Sequence, residues 1–537
     1  MPSCPKGRKP VPYTSLLTSI TLYSSRRLRL QTTRLDSTTL LSTWQYKIFY
    51  SAAPYETEVW QDESAAVSVD AAPQAVDMFR GRLALVTGGG SGIGQAVCRL
   101  LAQRGARVVV GDIDLEAANA TVALLQELSG GAEHRALHID VGCPPSVSKA
   151  FESFEGDRGE QVSIVVHCAG ILLPPKSFLD VDVDEFDRIT RVNLRGTFLV
   201  TQAAARCMLR QKVTDGSIVN MSSVAARVTL PGAAAYSATK AAVTNFTRQY
   251  NIFYSATPYE TEVWQDESGN RQRCSCSVFI SRSIRAMDMF RGRLALVTGG
   301  GSGIGQAVCR LLAQRGARVV VGDIDLEAAN ATVALLQELS GGAEHRALHI
   351  DVGCPRSVSK AFESFEGDRG EQVSIVVHCA GILLPPKSFL DVDVDEFDRI
   401  TRVNLRGTFL VTQAAARCML RQKVTDGSIV NMSSVAARVT RPGIAAYSAT
   451  KAAVTSFTRS AAVDLAGSGI RINAVAPCMT ETPLVKAFGE AQRSKISAAI
   501  PMGRMAMPDE VAAVVAFLCG PDSAFVTGTT VDASGGV

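Results

Sequence analysis

Arg293-Leu-Ala-Leu-Val-Thr-Gly-Gly-Gly-Ser-Gly-Ile-Gly305 decides the fold of this chain. Its first half is a short apolar run, the pattern of a strand buried on both faces of a parallel sheet. Glycines then lead into the amphipathic stretch Gln306–Arg315. Strand, glycine turn and helix in that order are the setting of a phosphate-binding turn. Glycine lets the backbone approach a pyrophosphate, and the helix N-terminus presents unpaired N–H groups. A tight turn alone would also use glycine, so the next strand matters. Arg318–Gly322 ends at Asp323, 18 residues beyond Gly305. A carboxylate there accepts hydrogen bonds from adenosine ribose hydroxyls and repels a 2′-phosphate. The two features together predict a dinucleotide site that takes NAD(H) in preference to NADP(H).

Strand-like and helix-like segments alternate from there onward. His345–Val352, Val373–Gly381, Gly427–Ser434, Ile470–Pro477 and Thr529–Ala533 read as strands, with a long helix near Glu396–Lys423 and another from Ala445. This alternation specifies an α/β fold, a doubly wound parallel sheet with its ligand crevice at the C-terminal ends of the strands. Asp351, at such an end, is placed to contact the adenine.

The same pattern occurs twice. Residues 77–248 recur as 288–459 at an offset of 211, with differences only at Pro145/Arg356, Leu230/Arg441, Ala233/Ile444 and Asn245/Ser456. The stretch from Gln45, QYKIFYSAAPYETEVWQDES, likewise restarts at Gln249 as QYNIFYSATPYETEVWQDES. A head-to-tail duplication with its breakpoint at Arg248/Gln249 explains both. The reading is a truncated unit at 77–248, a linker at 249–287 and a complete unit at 288–537. Cys274 and Cys276 in the linker lack the second ligand pair that structural zinc needs, so no metal is expected. Because the first copy has no counterpart of Ile470–Pro477 or of the last strand, it should be inactive, and unstable unless docked on the second.

Composition bounds the remaining possibilities. The 537 residues carry 55 basic and 51 acidic side chains, a net of +4, too balanced for a nucleic-acid partner. No apolar run reaches the ~18 residues of a membrane span. The 13 cysteines form no spaced framework, which reads as free thiols in a reducing compartment. Residues 1–45 hold Lys6, Arg8, Lys9, Arg26, Arg27, Arg29 and Arg34 against Asp36 alone, among many Ser and Thr. That is the composition of an organelle transit peptide, pointing to the mitochondrial matrix, or else of a leader absent from a cytoplasmic mature protein.

Tyr447-Ser-Ala-Thr-Lys451 places a phenol and an ammonium four residues apart, on one face of a helix. By itself such a pair is often a solvated helix edge. Here Ser434 ends the preceding strand, 13 residues earlier, and Asn404 lies in Val-Asn-Leu-Arg-Gly. The glycine pattern with Asn404, Ser434, Tyr447 and Lys451 resembles the classical short-chain dehydrogenase/reductase family, over about 250 residues of the second copy. The stretches Asn404–Ala416, Ile500-Pro-Met-Gly503 and Val514–Leu518 are most similar to hydroxysteroid dehydrogenases and 3-oxoacyl-[acyl-carrier-protein] reductases. The resemblance implies a Rossmann-like fold, carbonyl/alcohol oxidoreduction, and a homotetramer without nucleic-acid or membrane partners. It also implies an NAD(H) site built from Gly299, Ser302, Gly303, Ile304, Gly305, Asp323, Asp351, Val352, Ala380, Gly381, Tyr447, Lys451, Pro477 and Thr482. Tyr447 would exchange the proton and Lys451 would lower its pKa and bind the nicotinamide ribose. Ser434 would hold the substrate oxygen, and Asn404 a water that relays protons to Lys451. The substrate is expected to be a 3-oxoacyl chain, on an acyl carrier protein or coenzyme A, or a 17-ketosteroid. The competing reading is a catalytically silent scaffold, against which the retained residues speak.

Two departures from the family pattern stand out. His378-Cys-Ala-Gly381 replaces the usual Asn-Asn-Ala-Gly, losing an asparagine hydrogen bond, and Pro477-Cys478 replaces Pro-Gly. If Cys478 had to adopt φ > 0 it would be strained. His345 and His349, spaced i, i+4 on an expected strand, read as ordinary polar positions. Arg417, Arg421 and Lys423 form a basic helix end, a solvated terminus or else a surface for an acidic carrier.

Overall fold

Valine-rich runs make the strands and amphipathic runs the helices, in the same order in both copies. The computed structural model describes residues 79–128, 132–155, 160–254, 289–339, 343–366, 371–439, 441–486 and 489–537. The basic leader and Cys274 and Cys276 lie outside them. All the described residues belong to one contact unit, 58–537. The first copy contains β1 (Leu83–Thr87), α1 (Gly92–Gln103), β2 (Arg107–Asp112), α2 (Leu115–Leu128), β3 (Arg135–His138), α3 (Pro144–Glu152) and β4 (Val162–His167). It continues with α4 (Val183–Thr190), α5 (Gly196–Arg210), β5 (Ser217–Asn220) and α6 (Ala234–Tyr254). The second repeats this as β6 (Leu294–Thr298), α7 (Gly303–Gln314), β7 (Arg318–Asp323), α8 (Leu326–Leu339), β8 (Arg346–His349), α9 (Pro355–Glu363) and β9 (Val373–His378). Next come α10 (Val394–Thr401), α11 (Gly407–Arg421), β10 (Gly427–Met432) and α12 (Ala445–Asp464). It alone goes on to β11 (Ile470–Pro477), α13 (Pro483–Lys486), α14 (Glu490–Ala498), α15 (Pro508–Cys519) and β12 (Thr530–Ala533).

Every strand pair is parallel. The second copy forms a seven-stranded sheet in the order β12-β11-β10-β9-β6-β7-β8, and the first a five-stranded one, β3-β2-β1-β4-β5. The order reverses between β6 and β9, which sets the ligand crevice above those strands. The expected long helix near Glu396–Lys423 is instead two: a π turn at Arg402–Arg406 separates α10 from α11. At the breakpoint the helix does not stop, for α6 runs past Arg248 to Tyr254.

Truncation leaves its mark on β5. Its counterpart β10 is buried along its whole length, whereas β5 is the sheet edge, and Val219 is 46% exposed where Val430 is fully buried. On the opposite side the two copies share one core. Helices α6 and α12 pack along each other, and a single apolar cluster runs from Leu83 to Ile472 through both copies. Phe186 stacks on Phe409 at 4.2 Å between ring centroids, and Phe198 on Phe397 at 4.3 Å. The polar contacts are reciprocal. Gln202 Nε2 donates to the Phe389 and Val392 carbonyls, and Gln413 Nε2 to those of Phe178 and Val181. Arg195 pairs with Asp398 and Arg406 with Asp187. A pseudo-twofold axis therefore relates the copies, and the first copy is docked as expected.

Candidate active site

The glycine turn after β6 is shaped by close backbone approach. Gly299 and Gly303 take φ of +67° and +54°, which other residues rarely adopt. A Cβ on Gly305 would lie 2.0 Å from the Gly299 carbonyl oxygen, and one on Gly299 would lie 2.7 Å from the Ala380 nitrogen. Ser302 is the N-cap of α7 and makes no side-chain cap bond there, while Ile304 lies in the first turn of that helix. At the end of β7, Asp323 Oδ2 accepts from the Gly301 N–H at 2.9 Å and Oδ1 from that of Asp325 at 3.1 Å. These bonds fix the carboxylate beside the turn. Asp351 is held by the Gly353 N–H and by Arg402, and Val352 packs against Gly407. Over the turn from the other side comes Thr482, whose Cγ2 would be 3.2 Å from a Cβ on Gly303. A narrow, glycine-walled cradle at a helix N-terminus with an anchored acid beside it fits a dinucleotide.

The expected catalytic residues converge beside this cleft. Tyr447 lies in the first turn of α12 and Lys451 one turn on, its Nζ 5.7 Å from the phenol ring centroid. That ammonium donates to the Met432 carbonyl at 2.9 Å, and burial pulls its pKa down to about 8. Burial raises the Tyr447 pKa, with a hydrogen bond from Ser434 pulling the other way. Ser434 ends the sheet side of the site, its Oγ accepting from the Ala436 N–H at 3.1 Å. Asn404 occupies the π turn. Its side chain exchanges both hydrogen bonds with the Ile382 backbone, at 2.8 and 2.9 Å, and donates to Thr450. Gly381 fits between them: a Cβ there would sit 3.3 Å from both Asn404 Oδ1 and Lys451 Nζ.

Two residues have supporting roles that the sequence did not show. Ser433 Oγ donates to the Lys451 carbonyl and bonds Thr455, tying α12 to β10. His378, read as a lost hydrogen bond, bonds Thr298 through Nδ1 at 2.8 Å. Burial and then the nearby Lys451 charge hold its pKa at about 3, so the ring is neutral. A serine before Ser434 and a histidine at a strand end carry no signal that separates them from ordinary polar positions.

Two further expectations, on Cys478 and His345, need correction. Cys478 is not in the left-handed region; it is buried beside Val485, Ile500 and Met505, and its N–H donates to the Ala533 carbonyl. Hence Pro477-Cys478 closes the pocket without backbone strain. Arg417 and Arg421 are exposed at the end of α11, as a solvated terminus should be, with Arg417 donating to the Leu179 carbonyl of the first copy and Arg421 pairing with Glu366. His345 precedes β8 and is buried, its Nδ1 accepting from the Val319 N–H.

The first copy reproduces much of this geometry. Asn193 bonds Ile171, Lys240 Nζ donates to the Met221 carbonyl at 2.9 Å and lies 5.8 Å from the Tyr236 ring, and Ser223 accepts from Ala225. Among the described residues its cleft has no far wall: a Cβ on Gly92 would meet nothing within 4 Å. The first copy also braces the second. Its Asp187 grips Arg406 in the π turn that carries Asn404, and its Asn245 donates to the Ala437 carbonyl in the turn after Ser434.

Residues 82–256 match the family model for short chain dehydrogenase, and residues 299–537 that for Enoyl-(Acyl carrier protein) reductase. Over 252 residues the chain is 41% identical to (3R)-3-hydroxyacyl-CoA dehydrogenase of Homo sapiens, covering 46% of this chain and 96% of the relative. It is 40% identical over 251 residues to cis-4-hydroxycyclohexanecarboxylate dehydrogenase of Sinomonas cyclohexanicum, covering 46% and 98%. Against 3-oxoacyl-[acyl-carrier-protein] reductase FabG of Thermotoga maritima the identity is 36% over 246 residues, again covering 46% and 98%. Relatives matched along nearly their whole length, and a family match on each copy, settle the kinship: the chain belongs to the short-chain dehydrogenase/reductase family and is an oxidoreductase.

Proposed function

We propose that the second copy interconverts a 3-oxoacyl and a 3-hydroxyacyl thioester with NAD(H), and that the first copy is its built-in structural partner. The observation that carries this reading is the completeness of one cleft and not the other. Only the second copy joins Tyr447, Lys451, Ser434 and Asn404 to a cradle closed by Thr482. Asp323, fixed beside the turn, accepts from ribose hydroxyls and repels a 2′-phosphate. Two of the relatives are named for the two oxidation levels of one pair, 3-hydroxyacyl and 3-oxoacyl.

A bound nicotinamide dinucleotide supplies or receives the hydride. In reduction the Tyr447 phenol gives its proton to the substrate oxygen as the carbonyl carbon gains hydride, and in oxidation it takes that proton back. Burial alone would make a phenolate costly. Lys451, with its pKa of about 8, remains an ammonium at neutral pH and offsets that cost. Ser434 orients the substrate oxygen through its hydroxyl. Asn404, pinned between Ile382 and Thr450, holds the loop after β9 against Lys451.

The test is NADH oxidation by the full chain with a 3-oxoacyl-CoA, an acyl-carrier-protein thioester and a 17-ketosteroid. Tyr447→Phe should lower turnover by at least ~10²-fold with NADH affinity retained. Tyr236→Phe should leave turnover unchanged. Near-normal turnover in Tyr447→Phe would remove the mechanism, and halving by each substitution would make both copies working sites.

A further inference from the structure

The pseudo-twofold axis passes through a cavity of about 260 Å³ between α6 and α12. Two arginines from each copy line it, Arg227 and Arg248 from the first, Arg438 and Arg459 from the second. The lining carboxylate is Asp532, on β12. Arg438 is paired with that carboxylate at 2.8 Å and donates to the Val537 carbonyl, while Arg459 donates to the Arg227 carbonyl. The truncation breaks the symmetry. Arg227 is the equivalent of Arg438, yet the first copy has no β12 to supply its acid. Among the described residues neither Arg227 nor Arg248 has an ion-pair partner, so the cavity carries an excess of three positive charges. The β11 and β12 wall, with Ala476 and Thr530, closes it only on the side of the second copy.

We propose that this cavity is an anion site, and that losing the end of the first copy created it. Planar guanidinium groups grip phosphate and carboxylate oxygens in pairs, and two arginines left without carboxylates beside two others favour a ligand with at least two negative charges. The volume falls below the ~300–1,000 Å³ of drug-sized pockets. It therefore suits a compact polyanion, an inorganic diphosphate or a small polycarboxylate, and not a whole nucleotide cofactor. Polar side chains from both copies, Asn245 and Thr455 among them, offer further donors on the walls.

Titration calorimetry of the full chain at constant ionic strength tests this, with pyrophosphate and citrate as separate probes, each with and without saturating NADH. One saturable site per chain is expected for at least one probe, and the better probe tells phosphate from carboxylate. The double variant Arg227→Gln/Arg248→Gln should weaken binding at least ~10-fold, and Arg104→Gln, on a remote surface, should not. Asp532→Asn, which removes the lone carboxylate, should tighten it. All the substituted arginines are exposed, and unchanged melting temperatures will show the fold intact. No saturable heat with either probe would overturn the proposal. So would binding that survives the double variant, or that NADH displaces, since the glycine turns would then be the anion site.

Discussion

Phe186→Ala tests whether the two copies are one folding unit. Phe186 is fully buried in the first copy, but the ring stacked on it is Phe409 of the second, which also meets Phe457 edge-on in α12. Deleting a buried phenylalanine costs ~3–5 kcal/mol, part of it the stacking that aromatic pairs add beyond area. At ~2 cal/mol/K per residue, a cooperative unit of roughly 430 residues unfolds with ΔS near 0.9 kcal/mol/K, so the expected fall in Tm is ~3–5 °C. Two assays read it: circular dichroism for the whole chain, and residual NADH oxidation after heating for the second copy alone. In a shared core both midpoints move together and by similar amounts, and Phe409→Ala moves them equally. If Phe186→Ala lowered the dichroism midpoint but left the inactivation temperature of the second copy where it was, the copies would be independent domains and the first would not buttress the second.

Asp323→Ser removes the carboxylate anchored by Gly301 and Asp325; the NADH-over-NADPH preference in kcat/KM should shrink, and an unchanged ratio would rule out Asp323 as the ribose contact. Burial lowers the Lys240 pKa from 10.5 to about 8, so between those values the unfolded chain binds the extra proton and wild-type stability rises with pH. Unfolding free energies of wild type and Lys240→Met from urea titrations should therefore diverge by ~3 kcal/mol in favour of wild type between pH 7 and pH 10.5, and a pH-independent difference would contradict the burial. Asn245→Ser gives the first copy the residue found in the second and removes the bond to the Ala437 carbonyl; kcat should fall by up to ~5-fold with the KM for NADH unchanged, whereas an equal change in both would indicate general loosening.

The sheet was legible because each strand is a short apolar run closed by glycine or a polar residue, so Ile470–Pro477 forms over those very residues. Pattern alone could not place the π turn at Arg402–Arg406. Val-Asn-Leu-Arg suits an α-helix locally, and the extra residue per turn is imposed by Asn404 bonding the loop after β9 and by Arg406 bonding Asp187. The candidate site could be read from spacing, since i, i+4 on one helix puts Tyr447 and Lys451 on one face whatever surrounds them. Its surroundings could not. That His378 bonds Thr298, that Cys478 takes an ordinary backbone conformation, and that Arg417 meets the first copy all depend on chain segments far away in sequence.

Identity between copies misleads most where it is greatest. A motif comparison finds the first copy as complete as the second, and locally that is correct: Lys240 and Lys451 donate to equivalent carbonyls, those of Met221 and Met432, each at 2.9 Å. What differs is the cover that residues after Arg248 would have supplied. In the second copy, α15 lays Val511, Ala512, Val515 and Ala516 against α7, β10 and β11, and β11 covers β10. In the first, Leu100 is 43% exposed and Val219 46%. Apolar surface of that kind destabilises a free domain at ~25 cal/mol per Å² left uncovered. The compensating burial is on the opposite face, where Phe186, Phe198 and Gln202 are enclosed by the second copy. The interface is symmetric, so each copy takes equal core burial from the other, Phe397, Phe409 and Gln413 being enclosed in turn by the first copy. The asymmetry lies in what each copy holds besides: the second has a seven-stranded sheet with β11 and β12, and the first a five-stranded one that ends at β5.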